Sequence, residues 1–274
     1  MNKNKETHNN SDEQKQETDI FQDKLDNISK LFEGFVPKLP SKEEMTKNSR
    51  EWYKPLKGVT FKDWKKEITQ QSIRFDFIYF PKEFVKDIVD YNLSDKKRIK
   101  KLEDIIGKQL KKLDYNEFFI KLISRSPKDF GIIKTKNARE IIELLASSMR
   151  TTDDLVYLEN LDDGDDITLV IRPFIEIEPK NEFRVFVKSK EIKGISQYDY
   201  QNIYNYENEE KLEKEIIKFI EQKIIPFMEI QNFVVDIAII GNKIIILETN
   251  PYGLSDPCLF ESYENLDGSF KVKK

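Results

Sequence analysis

Apolar residues along this chain fall into two kinds of pattern. In residues 96–113, Ile99, Leu102, Ile105, Ile106, Leu110 and Leu113 recur at three- and four-residue steps with lysines between them, which predicts an amphipathic helix. Residues 208–225 repeat the pattern through Leu212, Ile216, Ile217, Phe219, Ile220 and Ile224, and Pro226 closes that helix. Residues 138–150 predict a third helix, with Ile141, Ile142, Leu144 and Leu145 turned inward. A short helix is also expected over 20–35, packed on the body in the favoured reading or binding a partner in the other. Residues 1–19 hold no strongly apolar side chain beyond Met1 and are expected to be disordered, while 37–48 read as a linker.

The second pattern is the short apolar run. FDFIYF at 75–80 reads as a strand ended by Pro81. Residues 118–122, 167–178, 183–188 and 192–196 read the same way. Residues 233–240 and 243–250 are nearly all apolar and are joined by Gly241 and Asn242, which predicts a buried hairpin. The acidic stretch 162–166 is a turn, because it lacks the twelve-residue ligand pattern of a calcium loop. Helices and strands follow no regular βαβ order, so the class is α+β with antiparallel sheets.

Composition narrows the chemistry. The 274 residues suit one large domain or two interlocked smaller ones. With 46 Lys+Arg against 50 Asp+Glu the formal net charge is -4, which argues against a dedicated nucleic-acid binder. No run approaches the roughly 18 apolar residues of a membrane helix, and the N-terminus lacks the apolar centre of a signal peptide. The single cysteine, Cys258, excludes an internal disulfide framework and points to a reducing compartment, most simply the cytoplasm. Its SDPCLF setting predicts a buried core position. The single histidine, His8, lies in the polar tail, which removes His-based catalytic pairs and His-ligated zinc or iron. None of the nine glycines falls in a GxGxxG or GxxxxGK spacing, so bound phosphates would rest on Lys, Arg and a metal.

Three clusters carry candidate chemistry. In the hairpin, Asp236 interrupts a buried strand, and Glu248 and Asn250 end the next. A lone buried carboxylate costs several kcal/mol unless it is paired or metal-bound. Two carboxylates and a carboxamide without histidine suit Mg²⁺ carried by a nucleotide. The plainer alternative, a structural pair between Asp236 and a nearby Lys or Arg, stands at even odds with it. A two-residue turn would set Asp236 opposite Leu247 and face Glu248 the other way, so a shared metal requires an odd loop count or a bulge, expected near Gly241. The second cluster is Lys121, Arg125 and Lys128, able to grip phosphates or to form a solvated basic loop. The third is Arg172 and Arg184 in apolar strand contexts, which need phosphate or a carboxylate such as Glu176, Glu178 or Glu182. Together these are the charges of a Mg-nucleotide site.

The chain resembles the cell division cycle protein 123 family, a branch of the ATP-grasp superfamily. The likeness runs from Trp52 to Leu266 through WYKPLKGVTFK (52–62), FIKLISRSPKDFG (119–131), IRPFIEIEPKNEFRVFV (171–187), KGISQYDY (193–200), FVVDIAI (233–239) and ILETNPYGLSDPCLF (246–260). It implies an ATP-grasp fold of two α+β lobes with antiparallel sheets enclosing Mg-ATP. The expected division is a tail and short helix over 1–48, a first lobe over 49–170 and a second over 171–274. Lys121 would contact phosphates, with Ser126 and Lys128 nearby. Phe174, Ile175 and Ile177 would border adenine, Arg172 and Arg184 would face phosphates, and Asp236, Glu248 and Asn250 would hold magnesium. Glu248 stands where the family usually has Asp. The family's acidic insertion is shortened to residues 92–115, its long C-terminal segment is not represented, and residues 1–48 are extra.

The resemblance implies an ATP-binding assembly chaperone that binds the γ subunit of translation initiation factor 2, as a monomer and without direct contact to nucleic acid. No catalytic residue is assigned. The alternatives are an ATP-grasp ligase that forms an acyl phosphate on a carboxylate substrate, and a nucleotide-binding remnant or effector acting through protein contacts alone.

Overall fold

The apolar runs assemble into two sheets that share one core. The computed structural model describes residues 40–274 apart from 132 and 165, without the side chains of residues 92 and 130. The expectations for 1–19 and 20–35 lie outside the described residues. The first sheet contains β1 (Asp76–Phe80), β2 (Phe118–Leu122) and β3 (Ile167–Pro173) in the order β1-β3-β2. Both neighbours run antiparallel to β3, with Lys121 opposite Val170 and Phe119 opposite Arg172. As the central strand, β3 is buried from Ile167 to Arg172, which is why its sequence reads as an unbroken apolar run. The strand ends at Pro173, and residues 174–178 lead on toward the second sheet.

Helices fill the space around the first sheet. α1 (Lys42–Tyr53) begins inside the segment read as a linker, with Glu43 and Glu44 favourably placed in its first turn. Trp52 of α1 stacks on Tyr157 at 5.0 Å between ring centres. Two short helices follow, α2 (Lys66–Thr69) and α3 (Val85–Val89). α4 (Lys96–Leu110) buries Ile99, Leu102, Ile106 and Leu110, as the spacing requires. The third expected helix is two: α5 (Ala138–Ser147) stops at Ser148, whose hydroxyl accepts from the Thr151 N–H and caps α6 (Met149–Glu159). The sequence hides α6 because Thr151 and Asp154 occupy its buried face beside Leu155 and Leu158.

The second sheet contains β4 (Glu182–Lys188), β5 (Glu191–Gln197), β6 (Phe233–Ile240), β7 (Lys243–Pro251) and β8 (Phe270–Lys271), in the order β7-β6-β4-β5-β8. All pairings are antiparallel except β5 with β8, which departs from a purely antiparallel expectation. That short parallel pairing forms where the chain returns along the sheet edge after the 252–269 segment. α7 (Glu209–Lys223) adds buried Ile216 and Ile220 to the core shared by both sheets. On β4, Phe183, Val185 and Val187 join that core, while Phe186 on the other face packs with Val234 and Phe260. The observed class is therefore α+β with predominantly antiparallel sheets, as the pattern predicts, and residues 42–274 form one compact unit.

The segment 56–72 ties the sheets together. The Trp64 indole N–H donates to the Thr249 hydroxyl at 2.7 Å, and Ile246 N–H donates to the Gln71 carbonyl at 2.8 Å. Phe61 lies under the Lys121 ammonium at 5.4 Å. On β5, a Cβ at Gly194 would stand 2.7 Å from Phe260 Cζ and 2.9 Å from Leu266 Cδ2. Both neighbours are packed side chains, so Gly194→Ala is expected to cost about 1–3 kcal/mol by overpacking. Urea unfolding checks this, and an unchanged midpoint would show that the Phe260 cluster can yield.

Candidate functional site

The acidic hairpin supplies the site's base. Ile240 pairs with Lys243 across Gly241 and Asn242, and the register holds as far as Ile237 opposite Ile246. It then shifts, so that Asp236 lies opposite Glu248 and Leu247 is the extra residue. The bulge expected near Gly241 is therefore at Leu247, beside the acids. It turns Glu248 to the face that carries Asp236. A bulged residue leaves its backbone unpaired, and Arg172 Nη1 donates to the Leu247 carbonyl at 2.9 Å.

One row crosses the second sheet. Arg184 on β4 lies opposite Asp236 on β6, which lies opposite Glu248 on β7. Arg184 forms a two-pronged pair with Asp236, Nε to Oδ1 at 2.7 Å and Nη2 to Oδ2 at 2.8 Å, and its Nη1 donates to the Asp256 carbonyl at 2.9 Å. The Asn250 amide donates to Asp236 Oδ2 at 3.1 Å. Lys121 reaches from the first sheet to Glu248 Oε2 at 2.7 Å. Lys128 lies 3.5 Å from Glu248 Oε1 and donates to the Tyr198 hydroxyl at 2.7 Å. Lys121, Arg184 and Asp236 are 2%, 5% and 2% exposed, so these are desolvated charges.

A cavity of about 740 Å³ opens beside this row. Its wall includes the apolar Phe119, Phe174, Ile175 and Ile177 together with Lys128, Arg172, Glu182, Tyr198, Asp236 and Glu248. Arg172 lies over the Phe119 ring at 4.2 Å and Lys134 over Phe174 at 5.0 Å. The Phe174 N–H donates to the Glu117 carbonyl at 2.9 Å, which fixes the start of the linker. Ile175 is an exposed residue of this lining.

The structure brings most of the sequence-derived residues together, though not all on the wall. Lys121, Arg184 and Asn250 do not line the cavity and meet it through the carboxylates they hold. Ser126 is buried off the wall, and its carbonyl accepts from the Lys128 N–H at 2.8 Å and Arg150 Nε at 3.2 Å. Arg125 is taken by Asp154. Neither Arg172 nor Arg184 uses Glu176, Glu178 or Glu182 as a hydrogen-bonding partner, and the structural Arg–Asp pair weighed against a metal role is present as Arg184–Asp236. Sequence reasoning missed Tyr198, Lys134 and Glu182 as cavity residues, because each lies in a segment whose nearest signal was strand or turn composition.

Electrostatics follow from burial. Burial pushes the Glu248 carboxyl up, but Lys121 and Lys128 outweigh it and hold it well below the usual range. Burial raises Asp236 against the opposing charge of Arg184. Burial pulls Arg172 down to about 10, leaving it cationic at neutral pH. Glu182 is pushed up to about 7 by burial, only partly offset by Lys128. Over the row and the cavity wall, Lys121, Lys128, Lys134, Arg172 and Arg184 are five cations against the four carboxylates Glu176, Glu182, Asp236 and Glu248. The surplus is one positive charge, or two when Glu182 is protonated, which favours an anionic ligand.

The donor set fits magnesium only in company. Among the described residues no three His, Cys, Asp or Glu side chains cluster as a metal cage. Two facing carboxylates and the Asn250 amide match the way Mg²⁺ is held by one or two carboxylates plus substrate phosphates. No described helix is long and apolar enough to cross a membrane.

Residues 38–274 match the family model described as D123. The chain belongs to the D123 family. The translation initiation factor eIF2 assembly protein of Candida albicans is 35% identical over 170 residues, covering 54% of this chain and 49% of that protein. The cell division cycle protein 123 of Eremothecium gossypii is 31% identical over 138 residues, covering 47% and 39%. The chain thus spans about half the length or less of these curated relatives. Solved Cdc123 from Schizosaccharomyces pombe aligns with a TM-score of 0.61 at 24% identity, over 81% of this chain and 98% of that one, a likeness of fold.

Glu182 yields a pH test. Its folded value of about 7 lies above the usual 4.5, so the unfolded chain releases this proton first as pH rises. Stability from this group is therefore present below about pH 4.5 and lost as pH rises toward 7. Glu182→Gln should gain on the wild type between about pH 5 and pH 7.5 in urea midpoints. A constant difference would mean that Glu182 titrates normally.

Proposed function

We propose that this chain binds Mg-ATP in the cavity and acts as an assembly factor for translation initiation factor 2, docking its γ subunit. The observation that carries the nucleotide reading is the buried row Arg184–Asp236–Glu248–Lys121 beside a cavity whose size suits a nucleotide. The partner reading rests on family membership and on the printed role of relatives, which are named for assembly of that factor. The protein would act as a monomer in the cytoplasm, with lobes over 49–170 and 171–274.

In this reading Lys128 and Arg172 meet the phosphates from the wall. Asp236, Glu248 and Asn250 would hold Mg²⁺, which would supply positive charge against the phosphates. Lys121 and Arg184, which hold those carboxylates here, would supply the positive charge that keeps the buried acids and the phosphates compensated. Phe174, Ile175 and Ile177 offer an apolar slot for the base, and Ser126 fixes the backbone at Lys128. ATP then serves as a structural ligand that shapes a docking surface, without a catalytic residue.

Mg-ATP at 100 times its dissociation constant should stabilise the fold by about 2.7 kcal/mol, raising the melting temperature by roughly 5–10 °C. Lys121→Met and Asn250→Ala should each remove most of that shift, and a full shift in both would remove the site assignment. Titration of purified γ subunit should give binding that depends on Mg-ATP. A protein that binds ATP but not the subunit, and releases ADP only with an added acid and amine, would be a ligase instead.

A further inference from the structure

We infer that Tyr198 is a phosphate-binding and cation-positioning residue of this site, an inference that rests on the nucleotide reading above. Tyr198 follows β5, and its N–H donates to the Glu182 carbonyl at 3.0 Å, which locks the residue onto β4. It lines the cavity together with Glu182, Asp236 and Glu248. Lys128 Nζ lies 5.0 Å from the centre of its ring and Arg184 Cζ lies 4.8 Å from it. Arg184 therefore lies over the ring, while Lys128 sits at its hydroxyl edge.

The hydroxyl adds direction. Lys128 Nζ donates to the Tyr198 oxygen at 2.7 Å, so the oxygen is an acceptor there and its own hydrogen points elsewhere. Among the described residues no protein group accepts that hydrogen. Ammonium and phenol thus present adjacent donors on one wall of the cavity. A phosphate oxygen there receives both, at one fixed separation. Without the hydroxyl, Lys128 retains Glu248, 3.5 Å away, as its close charged partner.

The role predicts a split between the phosphate and nucleoside parts of the ligand. A hydrogen bond to a charged group is worth about tenfold or more in affinity. Tyr198→Phe keeps the ring and removes the donor, and it should weaken Mg-ATP about tenfold while leaving adenosine within twofold. Tyr198→Leu removes the ring as well and should weaken Mg-ATP further. Mg-ATP is measured by calorimetry, adenosine by ligand-observed NMR, and folding of each variant by thermal melting. Unchanged Mg-ATP affinity in Tyr198→Phe, or adenosine weakened as much as Mg-ATP, overturns the role and leaves the nucleotide site intact. A wild type that binds neither ligand overturns the nucleotide reading and this role with it.

Discussion

The structure depends on keeping two buried carboxylates compensated. Asp236 and Glu248 lie opposite each other on adjacent strands, and each is answered by a cation from another element. Arg184 comes from the neighbouring strand of the same sheet, while Lys121 crosses from the other sheet. The Lys121–Glu248 contact therefore couples the relative position of the sheets to the charge state of the site. Removing one partner of such a pair costs about 3–5 kcal/mol, yet an apolar replacement of the whole pair is often neutral or stabilising. Stability alone gives little reason for this row, which is the physical argument for its serving a ligand.

Local backbone geometry makes the row possible. A regular two-residue hairpin would turn Glu248 away from Asp236, and the single bulged residue Leu247 reverses that. Arg172 then closes the gap by accepting the role of partner to the freed Leu247 carbonyl. One irregularity thus places a carboxylate and fixes a cation at the cavity wall. Phe61 supports Lys121 from below, and Trp64 holds Thr249 one residue beyond Glu248, so the aromatic segment near Trp52 also serves the site.

Much of this was legible in the sequence. Asp236 was visible because a charge in an apolar strand is conspicuous, and the need for a bulge followed from side-chain alternation. Its position was not legible, because a bulge answers to the partner that takes the freed carbonyl, and Arg172 lies 75 residues away. α6 escaped because its inward face carries Thr151, whose hydroxyl donates to the Leu145 and Ser148 carbonyls, and Asp154, which accepts from Ser124 and Arg125, rather than apolar packing alone. Tyr198 escaped as a cavity residue, and Glu182 was named only as a partner for the arginines, because their significance lies in what surrounds them. A tyrosine after a strand and a glutamate before one carry no periodic signal.

On the proposed reading, Asp236 and Glu248 would serve a nucleotide-borne metal, and Lys121 and Arg184 would balance the phosphates. If phosphates draw Lys121 and Arg184 without a metal, both carboxylates stay buried and unpaired. Calorimetric titration of ATP into the wild type, with Mg²⁺ and with a chelator in its place, tests this most directly. The account predicts that Mg²⁺ strengthens ATP binding by at least about tenfold, the scale of a strong coupling between sites. Equal affinity in both conditions would contradict it, because the acids would then not be part of the ligand's site.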